Sequence, residues 1–175
     1  AQSPRHVGHE AGTAEGDAYK SQRLAWLDQM ELEHDNLRAA LEWSASNNLT
    51  KAVDLALALG RFWTLRDFNS EAVLWCQTIL ARAESLPELS TPRAQLYIVL
   101  GRSAIFMGNH KLGRSAGNAG LSLAQNAADK KVLVHLHTVV LLSSLYLGVF
   151  PAAQQAQQAG EALTCEMGDT DELDM

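Results

Sequence analysis

Apolar residues recur at three- and four-residue steps along most of the chain. Leu24, Leu27 and Met30 begin this pattern, and Leu37 and Leu41 continue it. Such spacing places apolar side chains on one side of an α-helix, whereas no segment sustains the period-two alternation of a half-buried strand. The sequence therefore predicts an all-α fold with essentially no strand.

Helix-breaking and helix-capping residues divide the pattern into helical hairpins. Pro87 and Pro92 mark the longest connection, Thr50 and Asp129 are candidate N-caps, and Pro151 is suited to open a last helix. The predicted hairpins, with about seven to eight helices in total, span residues 17–48, 50–84, 92–128 and 129–168. The pattern leaves open whether residues 25–48 form one helix or two.

The N-terminal residues and the overall composition indicate how the chain is divided into domains. Residues 1–16 mix Gly, Pro, Ser and His without an apolar period, which predicts a flexible leader before a repeat domain at 17–175. The hydrophobic fraction of 47% in 175 residues fits one soluble domain. The apolar stretch 132–150 contains several polar residues, and no secretory signal is visible. We therefore expect no membrane span and a cytoplasmic location.

An internal repeat underlies the hairpins. Candidate turns centred on positions 67, 108 and 148 are separated by 41 and 40 residues, and seven residues before them stand Gly60, Gly101 and Leu141. A single hairpin cannot bury its apolar side alone, so stacked hairpins share a continuous core and present a curved groove. The repeat predicts an extended stack with such a groove.

The hairpins resemble the tetratricopeptide repeat. The resemblance rests on small residues before the turn, Gly in the turn, and Ala72, Gly113 and Ala153 near the start of each second helix. The period exceeds the usual ~34 residues, Asp67 replaces the turn Gly, and Leu141 replaces a small residue. The resemblance implies a right-handed superhelix of antiparallel helical hairpins.

A second resemblance lies in residues 25–48, AWLDQMELEHDNLRAALEWSASNN, and continues through residues 56–80. This segment is similar to the repeat region that follows the nucleotide-binding domain in bacterial LuxR-type or antibiotic-regulator-type signalling ATPases. The resemblance implies a non-catalytic binding segment of a transcriptional regulator that acts in signal transduction. The 175 residues contain no G-x-x-x-x-G-K-[ST] phosphate-binding loop.

Charge and cysteine content narrow the chemistry. The formal net charge of -6 argues against direct nucleic-acid contact, because such surfaces are usually basic. Cys76 and Cys165 lie far apart in sequence and are expected to be reduced packing residues. No catalytic or metal-ligand constellation is visible, so we expect no enzyme activity, no metal and no cofactor.

The tetratricopeptide resemblance places groove positions on the first helix of each hairpin. They are Asp54, Leu57, Arg61 and Leu65, then Gln95, Ile98, Arg102 and Phe106, then His135, Thr138, Leu142 and Tyr146. The partner-binding candidates among them are Asp54, Arg61, Gln95, Arg102, Phe106, His135 and Tyr146. Arg61 and Arg102 hold equivalent places and suit a carboxylate or phosphate, or they pair with neighbouring acids.

Three glycines within one predicted helix are costly. Gly113, Gly117 and Gly120 each cost roughly 1 kcal/mol relative to Ala, and their spacing places them along one face. The preferred interpretation is close packing against an adjoining helix, and the alternative is a flexible hinge.

Two functions fit these patterns. In the first, the groove binds a protein or peptide partner, or adjoining domains of the same regulator. In the second, the chain is a structural or self-association scaffold and forms a homo-oligomer.

Overall fold

The computed structural model is all-helical, as predicted. It describes residues 7–124 and 129–168, with side chains from Lys20 onward. In this part of the chain there are eight α-helices, a short 3-10 helix at Pro87–Leu89, and no strand. The α-helices are α1 Val7–Leu32, α2 His34–Asn47, α3 Leu49–Leu65, α4 Asn69–Arg82, α5 Ser90–Phe106, α6 His110–Ala124, α7 Lys130–Tyr146 and α8 Phe150–Met167.

Contacts divide the chain into two compact units, residues 1–40 and residues 41–175. In the first unit, residues 7–16 belong to α1, and residues 1–6 of the predicted leader lie outside the described residues. Residues 25–48, for which the sequence left one helix or two open, belong to two helices, α1 and α2, that are separated only by Glu33. The Glu33 N–H donates to Gln29 O at 3.1 Å, and the Leu37 N–H donates to Glu33 O at 2.9 Å.

The second unit is a stack of helical hairpins, namely α3–α4, α5–α6 and α7–α8. Each first helix contacts the next first helix, so α3 meets α5 and α5 meets α7. The second helix of one hairpin also contacts the first helix of the next: α4 contacts α5, and α6 contacts α7. Consecutive hairpins therefore share one core, and the right-handed superhelical course stays a prediction.

The hairpin turns share one backbone geometry. Asp67, Gly108 and Gly148 have positive φ angles of 60°, 74° and 70°. In each turn the next residue's N–H donates to a carbonyl five residues earlier, at 2.8, 2.8 and 2.9 Å. Asp67 holds the left-handed conformation without being Gly, and its Oδ1 accepts a hydrogen bond from Asn69 Nδ2 at 2.7 Å.

Two of the predicted helix starts are correct and one is wrong. Asp129 caps α7, where its Oδ1 accepts from the N–H groups of Lys131 and Val132. Pro151 lies in the first turn of α8, as expected. The N-cap of α3 is Asn48 instead of Thr50, because Asn48 has extended backbone angles and accepts from the Lys51 N–H at 3.1 Å.

Glycines set the distance between neighbouring helices. A Cβ at Gly60 would lie 2.9 Å from Val99 Cγ2, and one at Gly101 would clash with Val139. A Cβ at Gly117 would lie 2.7 Å from Val140 Cγ2. Close packing of the glycine-rich α6 is confirmed, because it rests directly on α7. No helix in the described ranges is long and apolar enough to cross a membrane.

Candidate functional site: the first-helix face

The first helices of the three hairpins present side chains at a common spacing. Each first helix contributes three residues to one surface. On α3, for example, Arg61 follows Asp54 by seven residues and Leu65 follows Arg61 by four, so that all three lie on one side of the helix. We call this surface the first-helix face; its members are Asp54, Arg61, Leu65, Gln95, Arg102, Phe106, His135, Leu142 and Tyr146. Each is exposed or half-buried in the folded chain. The spacing therefore gives three parallel sets of accessible side chains.

Close helix packing keeps these sets aligned. Arg61 directly follows Gly60, which faces Val99 of α5, and Arg102 directly follows Gly101, which faces Val139 of α7. Equivalent residues of neighbouring hairpins therefore lie side by side across the stack.

The two arginines are close enough to interact. Burial, and then the positive charge of Arg61, lower the pKa of the half-buried Arg102 guanidinium below its ordinary value. Among the described residues, no acidic side chain forms an ion pair with Arg61. Arginine side chains form planar, two-point hydrogen bonds with carboxylates and phosphates, so this pair suits an anionic ligand.

The charge of Arg102 also acts on His135 of the next hairpin. Burial lowers the pKa of its imidazole most, the charges of Arg102 and Lys131 lower the pKa further, and Asp129 opposes them. Of these charges, Arg102 has the largest effect. The lowered pKa favours the neutral ring at physiological pH, so the ring is suited to hydrogen bonding.

An apolar row lies nearer the C-terminal ends of the three first helices, four residues after Arg61, Arg102 and the equivalent Leu142. Leu65, Phe106 and Tyr146 are 39%, 65% and 67% exposed. The Tyr146 ring stacks on His110 at the start of α6, with ring centroids 4.4 Å apart and planes 9° apart. Tyr146 is therefore held in place on one face while most of its surface remains open.

Some residues taken from the resemblance do not lie on an open surface. Ile98 is buried in the core cluster with Ala94, Leu136 and Val139, so it supports α7 instead of a partner. Leu57 and Thr138 are half-buried. The seven partner-binding candidates, including Asp54 and Gln95, all retain accessible surface and stay predictions as partner contacts.

The cysteines differ from each other. Cys76 is buried, and burial raises the pKa of its thiol to about 12, which suits an unreactive packing residue. Cys165 is exposed, so its expected packing role is wrong. It is among the residues that line a depression between α7 and α8. Within the described ranges, no group of three or more His, Cys, Asp or Glu side chains could hold a metal ion.

A second surface was missed by the sequence reasoning. Helices α7 and α8 line an open depression of about 600 Å³ whose lining includes Leu141, Gly160 and Cys165. The available signal was Gly160, which stands 40 residues after Gly120 and so holds the equivalent place in the repeat. Comparisons of the chain with protein-family models, with curated proteins and with solved structures find no match.

Proposed function

We propose that this chain is a non-catalytic, tetratricopeptide-like binding segment that holds an acidic peptide segment on the first-helix face. The observation that carries the proposal is the side-by-side placement of Arg61 and Arg102 on adjacent helices. Arginine makes planar, two-point hydrogen bonds with carboxylates and phosphates, so this pair suits an anionic side chain.

The apolar row sets the rest of the partner's chemistry. Phe106 and Tyr146 offer exposed aromatic surface one helical turn from the arginine positions. A partner with an acidic group followed by an apolar side chain satisfies both rows at once. Three adjacent helix axes about 8–10 Å apart span about 20 Å, which matches roughly six residues of extended peptide.

The test uses fluorescein-labelled peptides of about 10 residues that contain paired Glu beside Phe or Leu, with paired Gln in matched peptides. We expect the Glu peptides to bind more tightly and to lose affinity as salt rises. The Arg61→Gln, Arg102→Gln double variant should weaken binding about 10-fold or more, since hydrogen bonds to charged groups contribute about 1.5–3 kcal/mol.

The matched control removes the same charge elsewhere. Arg82→Gln with Lys111→Gln changes exposed cations on the second helices α4 and α6 and should leave affinity unchanged. Equal weakening in both double variants would mean that the overall charge, and not the first-helix face, controls binding. A peptide with phosphoserine in place of Glu shows whether phosphate satisfies the same arginines.

We further propose that this segment belongs to a larger bacterial signalling ATPase that regulates transcription. The support is the resemblance in residues 25–48 and 56–80. The complete reading frame tests it, because a phosphate-binding loop and a helix-turn-helix should lie elsewhere in the full protein. A complete frame that lacks both would contradict this part and leave the peptide-binding proposal standing.

A further inference from the structure

An open pocket lies between the second helices of the last two hairpins. Helices α6 and α8 both pack on α7, and the pocket between them has a volume of about 370 Å³, within the ~300–1,000 Å³ of small-molecule sites. We call it the α6–α8 pocket; its lining includes Arg114, Asn118, His137, Val140, Ala152 and Ala156. It has no lining residue in common with the first-helix face.

The glycines of α6 explain why polar side chains of this helix face the pocket. Gly113 and Gly117 lie against α7, where a Cβ at Gly117 would be 2.7 Å from Val140 Cγ2. Arg114 and Asn118 directly follow these glycines, so each projects roughly 100° around the helix from the α7 contact. Close helix packing therefore directs both side chains to the side of α6 that lines the pocket.

The register between α6 and α7 places the two cationic residue types toward opposite ends of the pocket. A Cβ at Gly120 would clash with Leu136, so the adjacent His137 lies near the level of Gly120. Arg114 precedes Gly120 by six residues, which is about 9 Å along the helix. A ligand that contacts both Arg114 and His137 is therefore elongated.

Arg114 brings a positive charge that its surroundings do not balance. The pocket lining includes no Asp or Glu, and neither α6 nor α7 contains one. On α8, Glu161 accepts a hydrogen bond from Gln157, and Glu166 pairs with Lys130 at 3.0 Å. In the described part of the chain, Arg114 forms no hydrogen bond or ion pair. Its guanidinium group therefore has donors available for an anion.

His137 supplies a second polar contact. Its Nδ1 is buried and finds no hydrogen-bond partner among the described residues. Burial lowers the pKa of the imidazole, which favours the neutral ring at physiological pH. Because an N–H at Nδ1 would be buried without an acceptor, the proton of the neutral ring is favoured on Nε2, which can donate to a ligand.

The preceding pair of second helices shows that the stack itself does not require these residues. The equivalent positions between α4 and α6 are apolar or aromatic: Val73, Tyr97 and Leu112 stand in place of Arg114, His137 and Ala152. Tyr97 packs against the buried core there. The Arg, the His and the smaller Ala are therefore particular to the α6–α8 pocket.

We propose that the α6–α8 pocket binds a small organic carboxylate. The carboxylate accepts two-point hydrogen bonds from the Arg114 guanidinium group, and the apolar body lies on Val140 and Ala156. A hydroxyl or carbonyl oxygen at the far end accepts from His137 Nε2. The charge selects an acid, and the volume, near the lower end of the range for such sites, selects a small molecule.

The probe is para-hydroxyphenylpropionate, which carries a carboxylate and a phenol at opposite ends. Heteronuclear NMR of the whole chain should show saturable shifts of the Asn118 and Gln155 side-chain amides, with a Kd of about 1 mM or tighter. The uncharged para-hydroxyphenylpropionamide should bind about 10-fold more weakly or less. Equal binding of acid and amide, or no saturable shift with the acid at about 10 mM, would overturn the proposal.

Charge variants assign the carboxylate contact. Arg114→Gln should weaken binding of the acid about 10-fold or more, and Arg114→Lys should restore only part of it, because an ammonium lacks the planar two-point geometry. Lys111→Gln removes an exposed cation of the same helix outside the pocket lining and should leave the affinity unchanged. Equal weakening by Lys111→Gln would assign binding to overall charge and contradict the proposal.

A pair of size variants locates the apolar body. Ala152→Leu introduces the residue that the equivalent position 112 already carries, so it should fill the pocket and abolish probe binding while leaving the urea midpoint close to that of the parent protein. Ala162→Leu makes the same change on an exposed part of α8 outside the lining and should leave probe binding intact. Probe binding that survives Ala152→Leu would place the ligand elsewhere and overturn the assignment.

Competition separates this pocket from the first-helix face. The Glu peptides should stay bound at saturating probe, and Arg114→Gln should leave their affinity unchanged. The Arg61→Gln, Arg102→Gln double variant should in turn bind the probe as the parent protein does. Peptide that the probe displaces, or that Arg114→Gln releases, would show that the pocket takes an acidic side chain of a peptide, and would overturn the assignment to a small molecule.

Discussion

Gly117 and Gly160 lie in equivalent second helices and have opposite surroundings. A Cβ at Gly117 would lie 2.7 Å from Val140 Cγ2 and 3.3 Å from the Val140 backbone nitrogen, whereas a Cβ at Gly160 would meet His137 Cβ at an ordinary contact distance of 3.7 Å. Gly117→Ala should therefore destabilise the protein by about 1 kcal/mol or more, because crowding outweighs the gain in helix propensity. Gly160→Ala should stabilise the free protein by about 0.5–1 kcal/mol. Urea unfolding measures both, and equal shifts would contradict the packing assignment.

His135 reports on the charge of Arg102. Burial is the largest cause of its lowered pKa, and Arg102 is the next. Arg102→Gln should therefore raise the His135 pKa part of the way toward 6.5, as followed by NMR titration of the imidazole. Asp129→Asn should move this pKa in the opposite direction while preserving a capping side chain. An unchanged His135 pKa in Arg102→Gln would show that the two side chains are further apart.

At the scale of the helix, the first turn of α3 distinguishes two neighbouring polar residues. Asn48 accepts a hydrogen bond from the Lys51 N–H, whereas Thr50 already lies inside α3 and is exposed. Asn48→Ala should lower the free energy of unfolding by about 1 kcal/mol, and Thr50→Ala should change it by less than about 0.5 kcal/mol. Urea midpoints compare the two, and a larger loss at Thr50 would place the cap there.

At the scale of the whole molecule, two half-buried histidines couple folding to pH. Burial lowers the pKa of both His135 and His137 below 6.5, so the unfolded chain takes up protons more readily than the folded one. Their contribution to stability is complete above 6.5 and is lost as pH falls toward the folded pKa values. Unfolding measured from about pH 8 to about pH 5 should show this loss, and a His135→Gln, His137→Gln variant should show less of it.

Local sequence patterns were sufficient to predict the helices and their order along the chain. Period-3.6 apolar spacing gave the all-α class, and the recurring turns gave the hairpins, since these features depend on residues close in sequence. The alignment of the three hairpin turns holds even where the turn residue is not glycine, because Asp67 adopts the same left-handed conformation as Gly108 and Gly148. The predicted N-cap of α3 was wrong because Asn48 and Thr50, two positions apart, both suit a cap, and only the backbone angles show which of them holds that place.

Equivalent positions could be assigned from the sequence, but their surroundings could not. The repeat placed Arg61 beside Arg102, and it gave Ile98 a groove position that the folded chain buries. It also paired Gly160 with Gly120 without showing that only Gly120 is covered.

The sequence by itself determined where helices form and which residues repeat, because hydrogen bonding and apolar periodicity act along the chain. Only the tertiary structure decided which of the equivalent residues are buried, which lie beside another charge, and which remain accessible to a partner. That outcome depends on whether another helix packs on the same surface: α7 packs on α5 and α6, whereas α7 and α8 line an open depression.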